Sequence, residues 1–340
     1  MDKKRVLYFD ALKILASFFI ILIHVTAEKY YAGPRDLSWY INWGYNAISR
    51  WAVPVFCMVT GALLLPRENK VSTVIKKYIL HIGLLLFFWG MYYWIIPTRS
   101  FTLSGLWNAF VSLLSGNAYS HLWYLYMLIG FYIALPMLSI ITVNATKRTI
   151  EYFLLVLLFA GFVLPYLSTY FSFIKTLLPA MKLCFVSEYL FYFLAGFYLS
   201  KYPWKTWIRI TYSAIGIVTL VSMAVFYCGI GSYRTAGERA LPLVVVAFGA
   251  TAIFILFQLL DEPLLSKKPV AAVIKFMAPL TFGIYLIHFR VEKTLLAYGI
   301  DSCFINPIAG ALLVTLAIFV ITAAISWVIS KIPLVRKLIQ

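Results

Sequence analysis

The chain has 340 residues, of which 63% are hydrophobic and 12% charged, and its mean hydropathy is +0.90. A soluble domain of that size needs more polar surface than this composition supplies, so a soluble fold is excluded. The formal net charge of +17 does not mark a nucleic-acid binder, because the basic residues fall in short segments between apolar runs and not along one polar face.

Apolar runs of about 20 residues, the length that crosses a bilayer, recur near 8–28, 44–65, 77–96, 121–142, 151–170, 184–200, 207–228, 241–260, 271–296 and 305–329. The expected fold is all-α: a polytopic integral membrane protein with about ten transmembrane helices, forming one domain over 1–340. The first run follows Lys3, Lys4 and Arg5, as a signal peptide would. It is too long and lacks an A-x-A site, so it is expected to be an uncleaved first helix. Segment 103–115 is amphipathic and is expected to lie at the outer interface or to re-enter. With the N-terminus inside, 18 of the 29 lysines and arginines fall in inner segments and ten in outer ones, with Lys13 inside the first span. This bias predicts that both termini are cytoplasmic. Cys57, Cys184, Cys228 and Cys303 have no paired or metal-binding spacing and read as apolar packing residues.

The polar residues within the spans are few. In the first, Lys13 and His24 are eleven residues apart, close to three helical turns, so they share a face about 16 Å apart along the axis. Asp10 and Ser17 fall in the same quadrant. Each charge inside a bilayer costs roughly 2.5–3.5 kcal/mol on insertion scales, so such groups face protein or an aqueous cavity. Asp10 and Lys13 also have the i, i+3 spacing of a simple ion pair at the inner interface, and both readings stand. The predicted topology puts His24, His121 and His288 near the outer ends of three spans, with Glu188 and Arg50 at the outer ends of two more. Three imidazoles with a carboxylate and an arginine at one depth suit proton transfer to and from a hydroxyl. No H-E-x-x-H, Walker or GxGxxG pattern occurs, so neither a metal nor a resident nucleotide is expected.

Several stretches resemble membrane acyltransferase family 3. "RVLYFDALKILASFFIILIHV" is similar to its first helix, D-x-L-R followed by an apolar run and His. "ISRWAVPVFCMVTGALLL" resembles its S-R-x-x-V-P-x-F-F-M-x-S-G helix. "HLWYLYMLIGFYIALPML", "EYLFYFLAGFYLSK" and "TFGIYLIHFRV" resemble its H-L-W-F, F-x-x-G and G-I-Y-x-x-H helices. The nearest subgroup is the stand-alone O-acetyltransferases of bacterial surface polysaccharides. The resemblance puts the family's first-helix histidine on His24, its later histidines on His121 and His288, and its second-helix arginine on Arg50. The family's first-helix arginine is Lys13 here, so a charge is kept but a bidentate fork is lost. Its third-helix arginine pair is replaced by Lys76, Lys77 and His81, and its second-helix serine by Thr60.

The resemblance implies transfer of an acetyl or other acyl group from cytoplasmic acyl-CoA, a co-substrate such as acetyl-CoA, to a sugar hydroxyl of a cell-envelope glycan. The enzyme would reside in the bacterial cytoplasmic membrane, with lipid, acyl-CoA and a glycan acceptor as partners and its oligomeric state open. Lys13, Lys76, Lys77, His81 and Asp10 would serve the donor; the lysines fit positive-inside topology equally well. His24 would be the base, oriented by His288, His121 and Glu188. Arg50, Trp123 and Tyr285 would hold the acceptor, although Trp123 also fits an interfacial aromatic belt. The alternative is a permease, which discontinuous helices would favour; Pro279 is a candidate break in the ninth span. A non-catalytic scaffold is a third reading, disfavoured by the polar cluster.

Overall fold

The computed structural model describes residues 5–32, 36–99, 101–117, 119–181, 187–230, 236–333 and 335–339. Lys3, Lys4 and Cys184 lie outside the described residues, as do Arg35, Lys182 and Arg234, which were counted among the outer basic residues; the side chains of Cys228 and Arg239 do too. Every regular element among the described residues is helical, as a bilayer demands of chains that must satisfy their own backbone groups. The helices are α1 (Leu7–Ala32), α2 (Leu37–Ser49), α3 (Ala52–Leu64), α4 (Val71–Thr98), α5 (Leu103–Leu114), α6 (Ser120–Asn144) and α7 (Lys147–Leu167). They continue with α8 (Ser172–Ala180), α9 (Glu188–Lys201), α10 (Thr206–Ile230), α11 (Ala236–Leu260), α12 (Lys268–Ala297) and α13 (Pro307–Ser330).

Among the described residues, nine helical stretches are long and apolar enough to cross a membrane. The span expected at 184–200 appears as α9, which shows 14 residues in the described part. The span expected at 44–65 starts earlier, at Leu37, and is broken at Arg50 and Trp51 between α2 and α3. Pro54 explains the break: its ring has no N–H and collides with the carbonyl four residues back, which is that of Arg50. At Pro279 the chain does not break: it tightens into a 3₁₀ turn over Ala278–Leu280 and runs on as one helix, α12. The amphipathic segment forms α5, started by the Thr102 hydroxyl accepting the Gly105 N–H at 3.1 Å.

The chain divides into two compact units. One comprises 1–63 and 146–325 and the other 64–145 and 326–340. In the first, α1 packs on α2, α11 and α12, and α9 packs on α7 and α11. Ile21 and Val25 of α1 join Ile284 of α12 and Val314 and Ile318 of α13 in one apolar cluster. α3 and α9 meet without side chains between them. A Cβ on Gly61 would overlap the Phe193 carbonyl, and one on Gly196 would overlap the Met58 carbonyl. Small residues that let two backbones touch are a common way to join helices where lipid competes equally for apolar side chains. In the second unit α4 packs on α5 and α6, and the Trp89 indole donates to the Leu338 carbonyl at 2.8 Å.

Asp36 starts α2 by accepting the Trp39 N–H at 2.8 Å. That bond, helped by Lys29 at 3.6 Å, holds its carboxyl below the usual carboxylate range. A depressed folded value means that the cap's contribution is complete above the unfolded value near 3.8 and disappears as pH falls through the lower folded one. The protection factors of the first amides of α2, measured against their intrinsic exchange rates, should therefore fall in acid for the wild-type chain, while Asp36→Asn should show no such step.

Candidate active site

His24 is half-buried in the last turns of α1, and its ring lies 5.1 Å from that of His288, with Phe289 edge-on at 5.4 Å. His288 is fully buried on α12. Its Nδ1 is 2.6 Å from the Tyr285 carbonyl. A carbonyl only accepts, so Nδ1 carries a proton and donates it there; in the neutral ring Nε2 is then the basic atom. Tyr285 thus contributes its backbone; its own ring is buried and stacks on Phe282 at 6.1 Å. One turn beyond His24, Glu28 pairs with Lys293, whose ammonium also stands 5.1 Å over the Phe289 ring. The two imidazoles therefore have an ion pair between α1 and α12 directly beyond them.

Glu292 was not singled out by the sequence. It is buried, four residues after His288 and so on the same side of α12, and its Oε2 has no hydrogen-bond partner among the described residues. The H-x-x-x-E spacing was the available signal, hidden because the resemblance of this helix ends at Val291.

Arg50 stands exposed at the break between α2 and α3 and donates to the Asn46 Oδ1 at 3.3 Å. Asn46 in turn donates to the Ile23 carbonyl at 2.9 Å and to the Thr26 hydroxyl at 3.3 Å. These two α1 residues flank His24, so a short polar chain ties the arginine to the histidine's own turn. Glu188 is half-buried at the start of α9, and both it and Arg50 lie within electrostatic reach of Tyr189. The glycine crossing of α3 and α9 is what holds this start of α9 close to the break. His24, His288, Arg50 and Glu188 thus all belong to one compact unit.

His121 and Trp123 belong to the other unit. His121 is 1% exposed and edge-on to Tyr93 at 4.6 Å, and Tyr93 stacks on Tyr119 at 4.9 Å. Trp123 is 39% exposed, as a belt residue would be. Lys76 and Lys77 are exposed on a π-helical turn, Val74–Ile79, that opens α4, and His81 is half-buried just after it. Such widened turns recur at functional sites. Lys13 is 2.7 Å from Asp10, and Arg5 pairs with the same carboxylate. The ion-pair reading of Asp10 and Lys13 is therefore the observed geometry, with a second cation that leaves the trio positive overall.

A multi-pass helical membrane protein with two facing imidazoles, one with its tautomer fixed by a backbone carbonyl, is a frame for acid–base chemistry on a hydroxyl. The sequence model of the acyltransferase domain family matches residues 6–331, and the chain belongs to acyltransferase family 3. It is a membrane acyltransferase. No curated protein and no solved structure matches it.

Proposed function

We propose that the enzyme moves an acetyl or similar acyl group from acyl-CoA to a sugar hydroxyl of a cell-envelope glycan, across the bacterial cytoplasmic membrane. The observation that carries this reading is the His24–His288 pair, 5.1 Å apart, with His288 held as the Nδ1–H tautomer. His24 takes the proton of the acceptor hydroxyl as its oxygen attacks the thioester carbonyl. The carbon–sulfur bond then breaks, and the imidazolium returns the proton to the leaving CoA thiolate. His288 keeps His24 in place, and Glu292 and Glu188 supply acceptors for sugar hydroxyls. Arg50, at a helix break with its guanidinium exposed, binds the acceptor's anionic or hydroxyl groups, with Tyr285 nearby in sequence to His288. Lys76, Lys77 and His81 attract the CoA phosphates as point charges, and Lys13, steadied by Asp10, lines the donor path.

Purified protein in proteoliposomes, given radiolabelled acetyl-CoA on one side and N-acetylhexosamine glycosides on the other, should form base-labile sugar esters. Lys76→Ala/Lys77→Ala should raise the apparent KM for acetyl-CoA with little change in kcat. Passage of free sugar with no ester formed would instead favour the permease, the second reading, which the helix break at Arg50 supports. The orientation, both termini cytoplasmic, rests on the basic-residue bias. Lys70→Cys should be silent to an impermeant maleimide added outside whole cells, and labelling there would reverse the topology.

A further inference from the structure

Away from the histidines, the first unit holds a cleft of about 350 Å³ whose walls include Leu158, Phe191, Ala195, Val244 and Phe248. The walls are almost wholly apolar. The polar groups that do reach it cluster at one end and are already engaged: the Tyr198 hydroxyl donates to Glu151 at 2.5 Å, and the Tyr212 hydroxyl bonds that of Thr251 at 2.8 Å. Among the described residues no polar group is left inside to orient a sugar or a nucleotide, so the cleft itself suits hydrocarbon.

The same end of the cleft is basic and aromatic. Lys147 and Lys201 stand 5.7 and 5.5 Å from the centroid of the Tyr202 ring, between the cleft residues Leu199 and Trp204. Lys205 follows Trp204 and is exposed. Arg209 lies three residues before Tyr212 on α10; it donates to the Thr206 hydroxyl at 3.4 Å, and its Nε is shielded from solvent with no partner among the described residues. Among the described residues the acid paired at this rim is Glu151, 3.6 Å from Lys147. Four cations against one carboxylate leave the rim strongly positive. Trp204, Tyr202 and Tyr212 are the residue types that mark the headgroup level of a bilayer.

We infer that this cleft is a binding site for one anionic glycerophospholipid, with an acyl chain between α7, α9, α10 and α11 and its phosphate at Lys147, Lys201 and Arg209. An apolar slot open to the bilayer would take any lipid chain. The charged rim is what selects the headgroup, as basic pockets between membrane helices do. The site is separate from the acyl-transfer chemistry and does not depend on which acceptor the enzyme uses.

Trp204 reports on occupancy. The protein is reconstituted in phosphatidylcholine bilayers containing a minor, equal mole fraction of either chain-brominated phosphatidylglycerol or chain-brominated phosphatidylcholine. The Trp204 signal is the difference between wild type and Trp204→Phe. Its quenching should be severalfold greater with the brominated phosphatidylglycerol. Lys147→Ala/Lys201→Ala should bring the two lipids level, and Lys147→Arg/Lys201→Arg should keep the preference, which separates charge from misfolding. Ala195→Leu, which fills the wall, should reduce Trp204 quenching by both lipids. Equal quenching by the two lipids in the wild-type protein would overturn the inference, leaving only ordinary boundary lipid. So would absence of Trp204 quenching by either lipid.

Discussion

His24→Ala should lower the rate of acyl transfer by about 10²–10⁴, the usual worth of a positioned general base. The loss should appear in kcat at saturating acyl-CoA, because the charges proposed for the donor, Lys13, Lys76 and Lys77, are untouched. The substitution should insert and fold, since alanine is less costly in a membrane than imidazole, and the apolar cluster of Ile21 and Val25 on either side of His24 stays intact. His288→Ala removes the partner ring and the tautomer lock at Tyr285 together, so its effect on kcat should be comparable. The double variant should be little worse than either single one, because two groups that act as a unit are not additive. Steady-state rates of sugar-ester formation with the purified variants, checked for monodispersity, decide this. A His24→Ala enzyme that is folded and runs at the wild-type rate would remove it from the role of base.

Gly196→Ala should destabilise the protein by more than about 3 kcal/mol, beyond the usual cost of overpacking. The obstruction is the Met58 carbonyl, a backbone atom that cannot rotate aside, and Gly61 faces the Phe193 carbonyl in the same way. Separating α3 from α9 also moves Glu188 away from the Arg50 break, so the surviving activity should fall before the protein unfolds. Gly130→Ala is the contrast. Nothing lies within 4 Å of a Cβ there, and alanine in a helix interior is favoured over glycine by roughly 0.5–1 kcal/mol, so stability should hold or rise. Thermal unfolding of the three proteins in one detergent would show a large drop for Gly196→Ala only. Equal melting of all three would mean that the two helices do not touch as described.

Hydropathy alone made the helical membrane architecture readable, because a bilayer leaves few other solutions. It failed at the start of the second span. There Asn42 and Asn46 lower the average, yet both are buried; Asn46 bonds α1 directly, and Asn42 bonds its own helix at Ser38. A window that averages over all faces of a helix cannot see that a polar residue points at protein and not at lipid. The shared level of His24 and His288 was readable from the order of the spans, since both were expected near the outer ends; their pairing was not. Depth cannot say which helices are neighbours, and His121, at the same expected depth, falls in the other unit. Arg50 was readable as a motif residue, but its setting at a helix break follows from Pro54, whose effect on the carbonyl four residues earlier is a matter of backbone sterics. Glu292 escaped because a carboxylate near a helix end ordinarily reads as a solvated one.

The Arg5–Asp10–Lys13 cluster has a consequence for how the chain is made. The first helix leaves the ribosome long before α12 exists, so His24 must enter the membrane without His288, and Glu28 without Lys293. Asp10 has no such wait, because both of its cations lie within five residues on the same nascent segment. The charged end of α1 is compensated at the moment of insertion, and only the half that carries His24 and Glu28 stays incomplete until nearly the whole protein has been synthesised.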